Sequence, residues 1–237
     1  MFFKQLLDYL FPKYCPCCVT KLELGENIIC TKCRAEMPFS YNWLRKENSL
    51  TELLAARAKI HTASSLIYYL THSPWQGLIH QMKYHNQKHI AYVFGEIYGY
   101  QLSQSPLYSP IDTIIPVPLH PIRQLSRGYN QSEYFARGIA SQINATVVTS
   151  VLKRSRHTSK QALKTEHADR WKNVNSAFKI RRGKRLEGRN ILLVDDVITT
   201  GSTIESCAEA IHDYNSSLRI WIGSIAFVNK NHKKSHR

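Results

Sequence analysis

The chain has 237 residues, 43% hydrophobic and 21% charged, enough to bury a core without disulfides and too apolar for wholesale disorder. Lys and Arg number 32 against 17 Asp and Glu, a net charge of +15. That excess favours polyanionic partners: nucleic acid, phosphorylated small molecules or an anionic membrane surface. No run approaches the roughly 18 uncharged apolar residues of a membrane span.

The N-terminal stretch Met1 to Phe11 is apolar but short, and no small-residue cleavage site follows it. A secretion signal is therefore not expected, and a reducing cytoplasm is the default compartment. Phe2, Phe3, Leu6, Leu7 and Leu10 fit one helical face, packed on the protein itself or lying on a membrane surface.

Five of the six cysteines fall between positions 15 and 33. Cys15-x2-Cys18 and Cys30-x2-Cys33 are matched knuckles that can supply four thiolates to a tetrahedral Zn²⁺. Four thiolates leave no position for water, so the expected site is structural. Cys17 crowds the first knuckle and is an alternative ligand; Cys15 and Cys18 reproduce the spacing of the second pair. A redox Cys-x-x-Cys pair is the competing reading, disfavoured by the repetition. Cys207 stands alone in a helical pattern and reads as core.

Pro38 to Asn48 reads as a linker. Residues 51–59 are expected to be helical, and Ser65 to Leu70 a short strand. Helices follow from Pro74, carrying Trp75, Leu78, Ile79 and Met82, and from Lys88 to Leu102. After a Pro-rich loop (103–110) the pattern alternates: strand Thr113–Val117, helix Ser126–Ile143, strand Ala145–Leu152, strand Asn190–Val194, helix Ser202–Tyr214 and strand Leu218–Val228. Such alternation implies an α/β fold, with a parallel sheet covered on both faces.

The most informative segment is Ile191-Leu192-Leu193-Val194-Asp195-Asp196-Val197-Ile198-Thr199-Thr200-Gly201-Ser202-Thr203. A buried strand delivers two carboxylates to its C-terminal end, where open α/β sheets bind ligands. The Thr, Gly and Ser run then opens a helix whose N–H groups can surround a phosphate. Gly201 lets the backbone approach closely. Asp195 and Asp196 lie about a ribose length away, able to accept from sugar hydroxyls or hold hydrated Mg²⁺. A Walker-type ATPase is excluded because Gly183-Lys184 is followed by Arg185 and no phosphate loop of that type exists.

These thirteen residues resemble the signature of type I phosphoribosyltransferases, which bind phosphoribosyl pyrophosphate (PRPP). Ile115-Pro116-Val117-Pro118-Leu119-His120, Arg127-Gly128-Tyr129-Asn130-Gln131, Arg156-x-Thr158-x2-Gln161-x-Leu163, Arg170-x2-Asn173-Val174-x2-Ala177-Phe178, Lys83-Tyr84 and the cysteine module extend the likeness. From Cys15 to Val228 the chain resembles the ComF/GntX family. The resemblance implies a type I phosphoribosyltransferase-like sheet with an N-terminal four-cysteine zinc finger. It divides the chain into 1–45 (helix and zinc module), 46–110 (linker and hood-like helices), 111–230 (core) and 231–237 (basic tail).

It also implies a role in natural transformation, in handling incoming single-stranded DNA alongside proteins of the uptake machinery. Asp195 and Asp196 would grip the ribose, as catalytic and PRPP-binding residues. Thr199, Thr200, Gly201, Ser202 and Thr203 would hold the 5′-phosphate, with Mg²⁺ accompanying PRPP. The loop after Thr113–Val117 would hold pyrophosphate, with Arg123 and Arg127 as charge partners. Lys153 to Lys172 falls where a lid is expected, with Arg154, Arg156, Lys160 and Arg170 closing over phosphates. Two readings stand side by side: a PRPP-binding protein that handles DNA, and an active Mg²⁺-dependent transferase with an unidentified nitrogen nucleophile. Three basic clusters, Lys153–Lys160, Arg181–Arg185 and Lys230–Arg237, are candidates for nucleic acid or simply solvated surface.

Overall fold

The computed structural model of the chain describes residues 12–26, 28–83, 87–154 and 177–229. The expected N-terminal helix, the tail from 230, and Arg156, Lys160 and Arg170 lie outside the described residues.

Five strands form one sheet: β1 (Thr62–Tyr68), β2 (Thr113–Pro116), β3 (Thr146–Val147), β6 (Asn190–Ile198) and β7 (Arg219–Phe227). Their order is β1-β7-β6-β2-β3, and every neighbouring pair is parallel. A parallel ladder needs crossovers, and helices supply them. Helices α1 (Thr31–Ala35) and α2 (Ser49–Ala55) precede β1; the crossover helices are α3 (Pro74–Lys83) and α4 (Lys88–Ser103) between β1 and β2, α5 (Pro121–Arg127) and α6 (Gln131–Ala140) between β2 and β3, and α7 (Ser202–Tyr214) between β6 and β7. A separate antiparallel ribbon joins β4 (Leu152–Arg154) to β5 (Phe178–Ile180).

Strand period two sends alternate residues to opposite faces. Ile114, Leu192, Val194 and Trp221 enter one core with Phe94, Tyr98 and Phe135 of α4 and α6. Ile115, Ile191, Leu193 and Ile222 enter the other with Ile204, Cys207 and Ile211 of α7 and Phe178 of the ribbon. Both faces are covered, as continuous apolar strands require. Helices α4 and α6 touch backbone to backbone: a Cβ on Gly138 would lie 2.1 Å from the Tyr92 carbonyl oxygen.

The cysteine module is continuous with the first core, in which Cys15, Cys30, Cys33, Met37 and Trp43 are buried with Leu66 and Phe94. The expected linker 38–48 is packed. The Ser40 N–H donates to the Leu66 carbonyl at 3.0 Å and the Tyr68 N–H to that of Pro38 at 2.9 Å, extending the sheet edge.

Three expectations need correction. The helix expected over 126–143 is two helices, α5 and α6. Gly128 ends α5 at φ +75°, and the Asn130 side chain accepts from the Ser132 N–H to start α6. The strand expected over 145–152 is only β3, two residues long; Leu152 belongs to the ribbon, paired with Ile180. The strand expected to end at Val194 continues to Ile198, with Asp195 opposite Ser224 and Val197 opposite Ala226 in the β7 ladder.

Candidate functional site

Because the sheet is parallel, its strands all end on one edge, and the acidic pair of β6 lies there. Asp195 accepts from the Ser132 hydroxyl at 3.1 Å and from the Asp196 N–H at 2.9 Å. Asp196 accepts from the Val197 N–H at 2.7 Å and pairs with the Lys83 ammonium at 3.2 Å. Burial, then the neighbouring Asp196 carboxylate, push Asp195 up to about 7; the Asp196 N–H, the Ser132 hydroxyl and Lys83 pull the other way.

The loop Thr199–Gly201 connects β6 to α7, with Thr199 and Thr200 exposed. The hydroxyls of Thr200 and Ser202 lie 3.3 Å apart. The first N–H groups of α7 have no partners within their own helix, and the helix adds its positive end. A hydroxyl-rich turn at such a terminus has the chemistry to hold a phosphate. Gly201 has φ +82°, and an added Cβ would lie 2.4 Å from Cδ2 of Leu54. Helix α2 therefore roofs the turn, and the 3.0 Å pair between Arg57 and Glu205 ties the chain after α2 to the first turn of α7. A side chain at position 201 would meet both a left-handed backbone and the flexible end of Leu54.

Beside β6, the Val117 N–H donates to the Val194 carbonyl at 2.8 Å, bringing the loop after β2 to the same edge. The Asn130 amide donates to the Val117 carbonyl at 3.0 Å, and the Tyr129 hydroxyl to that of Met82. These bonds bind the Arg127–Gln131 segment to both the loop and the end of α3. Arg127 donates to Gln131 at 3.2 Å, next to Ser132; Arg123 is exposed on α5. Arg154, at the end of β4, stacks 5.3 Å from the Phe178 ring centre. Arg154 and Asp195 both act on the buried Cys207 thiol, which burial pushes well up. Sequence reasoning gave no role to Ser132 and none to Lys83 beyond its place in a motif. The Asn130 cap could have pointed to Ser132, since a helix starting there faces the carboxyl ends of the strands.

The phosphoribosyl transferase domain profile matches residues 130–237, which include the acidic pair and the turn. Over 113 residues the chain is 33% identical to "Competence protein F" of Haemophilus influenzae, covering 46% of this chain and 48% of that protein. The chain is also 27% identical to "DNA utilization protein YhgH" of Shigella flexneri over 152 residues, covering 62% of this chain and 66% of that protein. A shorter match, 43% over 49 residues, is to "Bifunctional protein PyrR" of Thermosynechococcus vestitus; it covers 21% of this chain and 26% of that protein. The matches thus span about half of competence protein F and about two thirds of YhgH.

The chain carries a second cluster. The sulfurs of Cys15, Cys18, Cys30 and Cys33 all lie within 4.8 Å of one another. A tetrahedral zinc with sulfur at about 2.3 Å spaces its thiolates about 3.8 Å apart, so the quartet fits a structural Zn²⁺. Cys18 and Cys30 are 3.6 Å apart, and the Cys30 N–H points at the Cys15 sulfur at 3.5 Å. Cys17 stands outside this quartet. Among the described residues no helix is long and apolar enough to cross a membrane.

Proposed function

We propose that the chain binds PRPP with Mg²⁺ at the carboxyl edge of its sheet and serves a ComF-type role in DNA uptake, handling single-stranded DNA in the cytoplasm with proteins of the uptake machinery. The observation that carries the pocket is the placement of Asp195 and Asp196 one turn before a glycine-opened, hydroxyl-rich helix start. Asp195 and Asp196 accept the ribose hydroxyls. Thr199, Thr200, Gly201, Ser202 and Thr203 wrap the 5′-phosphate. Arg127, with Arg156 and Arg170 from the segment outside the described residues, meets the pyrophosphate charge. Residues 111–230 act as the binding core, 46–110 as its hood, 1–45 as a zinc-stabilised module and 231–237 as a basic tail. The names of the two DNA-related relatives support the biological role.

A second reading is favoured by one feature. A cleft of about 560 Å³ lined by Tyr69, Gln76, His80 and Lys83 adjoins the acidic pair through Lys83. An acceptor seated there would attack ribose C1: the C1–N bond forms, the C1–O bond breaks, and pyrophosphate leaves with the electron pair. The protein's part is electrostatic, with cations facing the leaving group and carboxylates facing the ribose. Calorimetric titration with PRPP and Mg²⁺ tests the pocket, and absence of heat would overturn both readings. Pyrophosphate release against a panel of bases and amines separates them: release with any acceptor establishes the transferase.

A further inference from the structure

The edge opposite the acidic pair is lined with cations. There the strands begin, and the chain enters β6 and β7 through arginines. Lys46 lies beside the start of β1, where its carbonyl accepts from the Thr62 hydroxyl at 2.9 Å. Arg219 opens β7, its guanidinium 5.9 Å from the Trp221 ring centre. Arg189 precedes β6. Neighbouring strands are about 4.8 Å apart, so the starts of β1, β7 and β6 span about 10 Å.

The turn Arg182–Arg185 is held at the same edge by three contacts. The Arg181 N–H donates to the Val151 carbonyl at 2.7 Å. Arg185 donates to the Ser150 hydroxyl at 3.2 Å. The Gly183 backbone presses on the Tyr214 ring, where a Cβ would fall 2.2 Å from Cζ. Helix α7 starts at the acidic edge and returns along the sheet, so Tyr214, its last residue, marks the opposite edge.

Lys46, Arg182, Lys184, Arg185, Arg189 and Arg219 are all exposed. The acids nearby are Glu47, Glu187, Asp213 and Asp112, the last already 3.8 Å from Arg189. Tyr214, 41% exposed, offers a ring beside the basic turn. Arginine forks match phosphate oxygens, and an exposed ring can take a base, which is how single strands are held without sequence choice. A membrane surface would call for several apolar side chains to insert, and the basic turn is accompanied by Tyr214 alone among the exposed large hydrophobic residues on α7.

We propose that this rim is the track for the phosphate backbone of single-stranded DNA. The inference rests on the DNA-handling reading above and gives it a surface distinct from the phosphoribosyl pocket. Asp195 lies five residues along β6 from Asn190, about 16 Å away at the usual strand rise. DNA and PRPP therefore occupy the protein together without competing.

The test is fluorescence anisotropy of a labelled oligothymidylate with the full chain across a salt series. A variant carrying Arg182→Gln, Lys184→Gln and Arg185→Gln is expected to bind at least tenfold more weakly. Its plot of log affinity against log salt should be shallower by about 2, since each lost single-strand phosphate contact removes about 0.7. Asp196→Asn and saturating PRPP should leave DNA affinity unchanged. Undiminished affinity of a triple variant that melts like the parent would overturn the rim while leaving DNA handling intact. Competition by PRPP would likewise move the DNA to the other edge. No DNA binding by the parent would remove both readings, and retention on phosphatidylserine vesicles in that case would reassign the rim to a membrane.

Discussion

Lys83, the last residue of α3, places its ammonium 3.2 Å from the Asp196 carboxylate on β6, with both side chains largely shielded from water. Removing one partner of a shielded pair leaves the other uncompensated, which costs more than the pair contributes. Lys83→Met is therefore expected to weaken PRPP binding by about tenfold or more, a loss of about 1.4 kcal/mol, because the carboxylate proposed to face the ribose loses its positioning cation. Calorimetry reads this directly. Binding as tight as in the parent would mean that Lys83 is a bystander.

Asp195 makes stability fall as pH rises. Its folded value of about 7 lies above the ordinary carboxylate value of 3.8. Between these values the folded state binds more protons than the unfolded state, so the slope of unfolding free energy with pH is negative there. The contribution of this group is full below about pH 4 and is lost as pH climbs through 7. Asp195→Asn removes the penalty of the buried charge, and each pH unit of displacement corresponds to about 1.4 kcal/mol. The variant should melt at least about 3 °C higher than the parent at pH 8, with the gap closing toward pH 4. Thermal melts across that range check it; a gap independent of pH would assign the effect to packing.

The sequence made the local parts of this arrangement legible. Helix α7 lies where Gly201 and the 3.6-residue period put it, because capping and periodicity are both local signals. The four-cysteine cluster was readable because the geometry a tetrahedral metal needs is written in the spacing of two short knuckles. Strand β6 was underestimated because aspartates are poor strand formers; the β7 ladder overrides that preference when both neighbours are fixed. The division of α5 from α6 was written in Gly128 and Asn130, but the apolar period ran through both. The contacts of Lys83 with Asp196 and of Ser132 with Asp195 join distant segments, and no local pattern encodes them.

Gly201 carries two separate constraints. A side chain there must adopt φ +82°, and its Cβ must displace Leu54. The first costs about 1–2 kcal/mol, and the second adds strain that a flexible Leu end can partly relieve. Gly201→Ala should lower the melting temperature by several degrees and weaken PRPP binding. Adding Leu54→Ala to that variant should bring no recovery of stability, because it removes a core side chain. It should restore some PRPP affinity if the roof over the turn is what the alanine disturbs. Affinity unchanged by Gly201→Ala would dissociate the turn from the phosphate.

Zinc removal should be felt beyond the cysteine module. Cys15, Cys30 and Cys33 share one apolar cluster with Met37 and Trp43, and Trp43 packs edge-on against Tyr98 of α4 at 6.3 Å between ring centres. A structural zinc supplies folding free energy to the segment that ligates it. Stripping it with a chelator, or replacing Cys18 by Ser, should loosen that segment and expose Trp43. The expected results are one zinc per chain in the native protein, a red shift of tryptophan emission on chelation and a lower melting temperature. Because the sheet keeps its helices on both faces, PRPP binding should survive with at most a few-fold loss. A metal-free native protein with an unchanged emission spectrum would require the four thiols to be read as a redox pair of pairs instead.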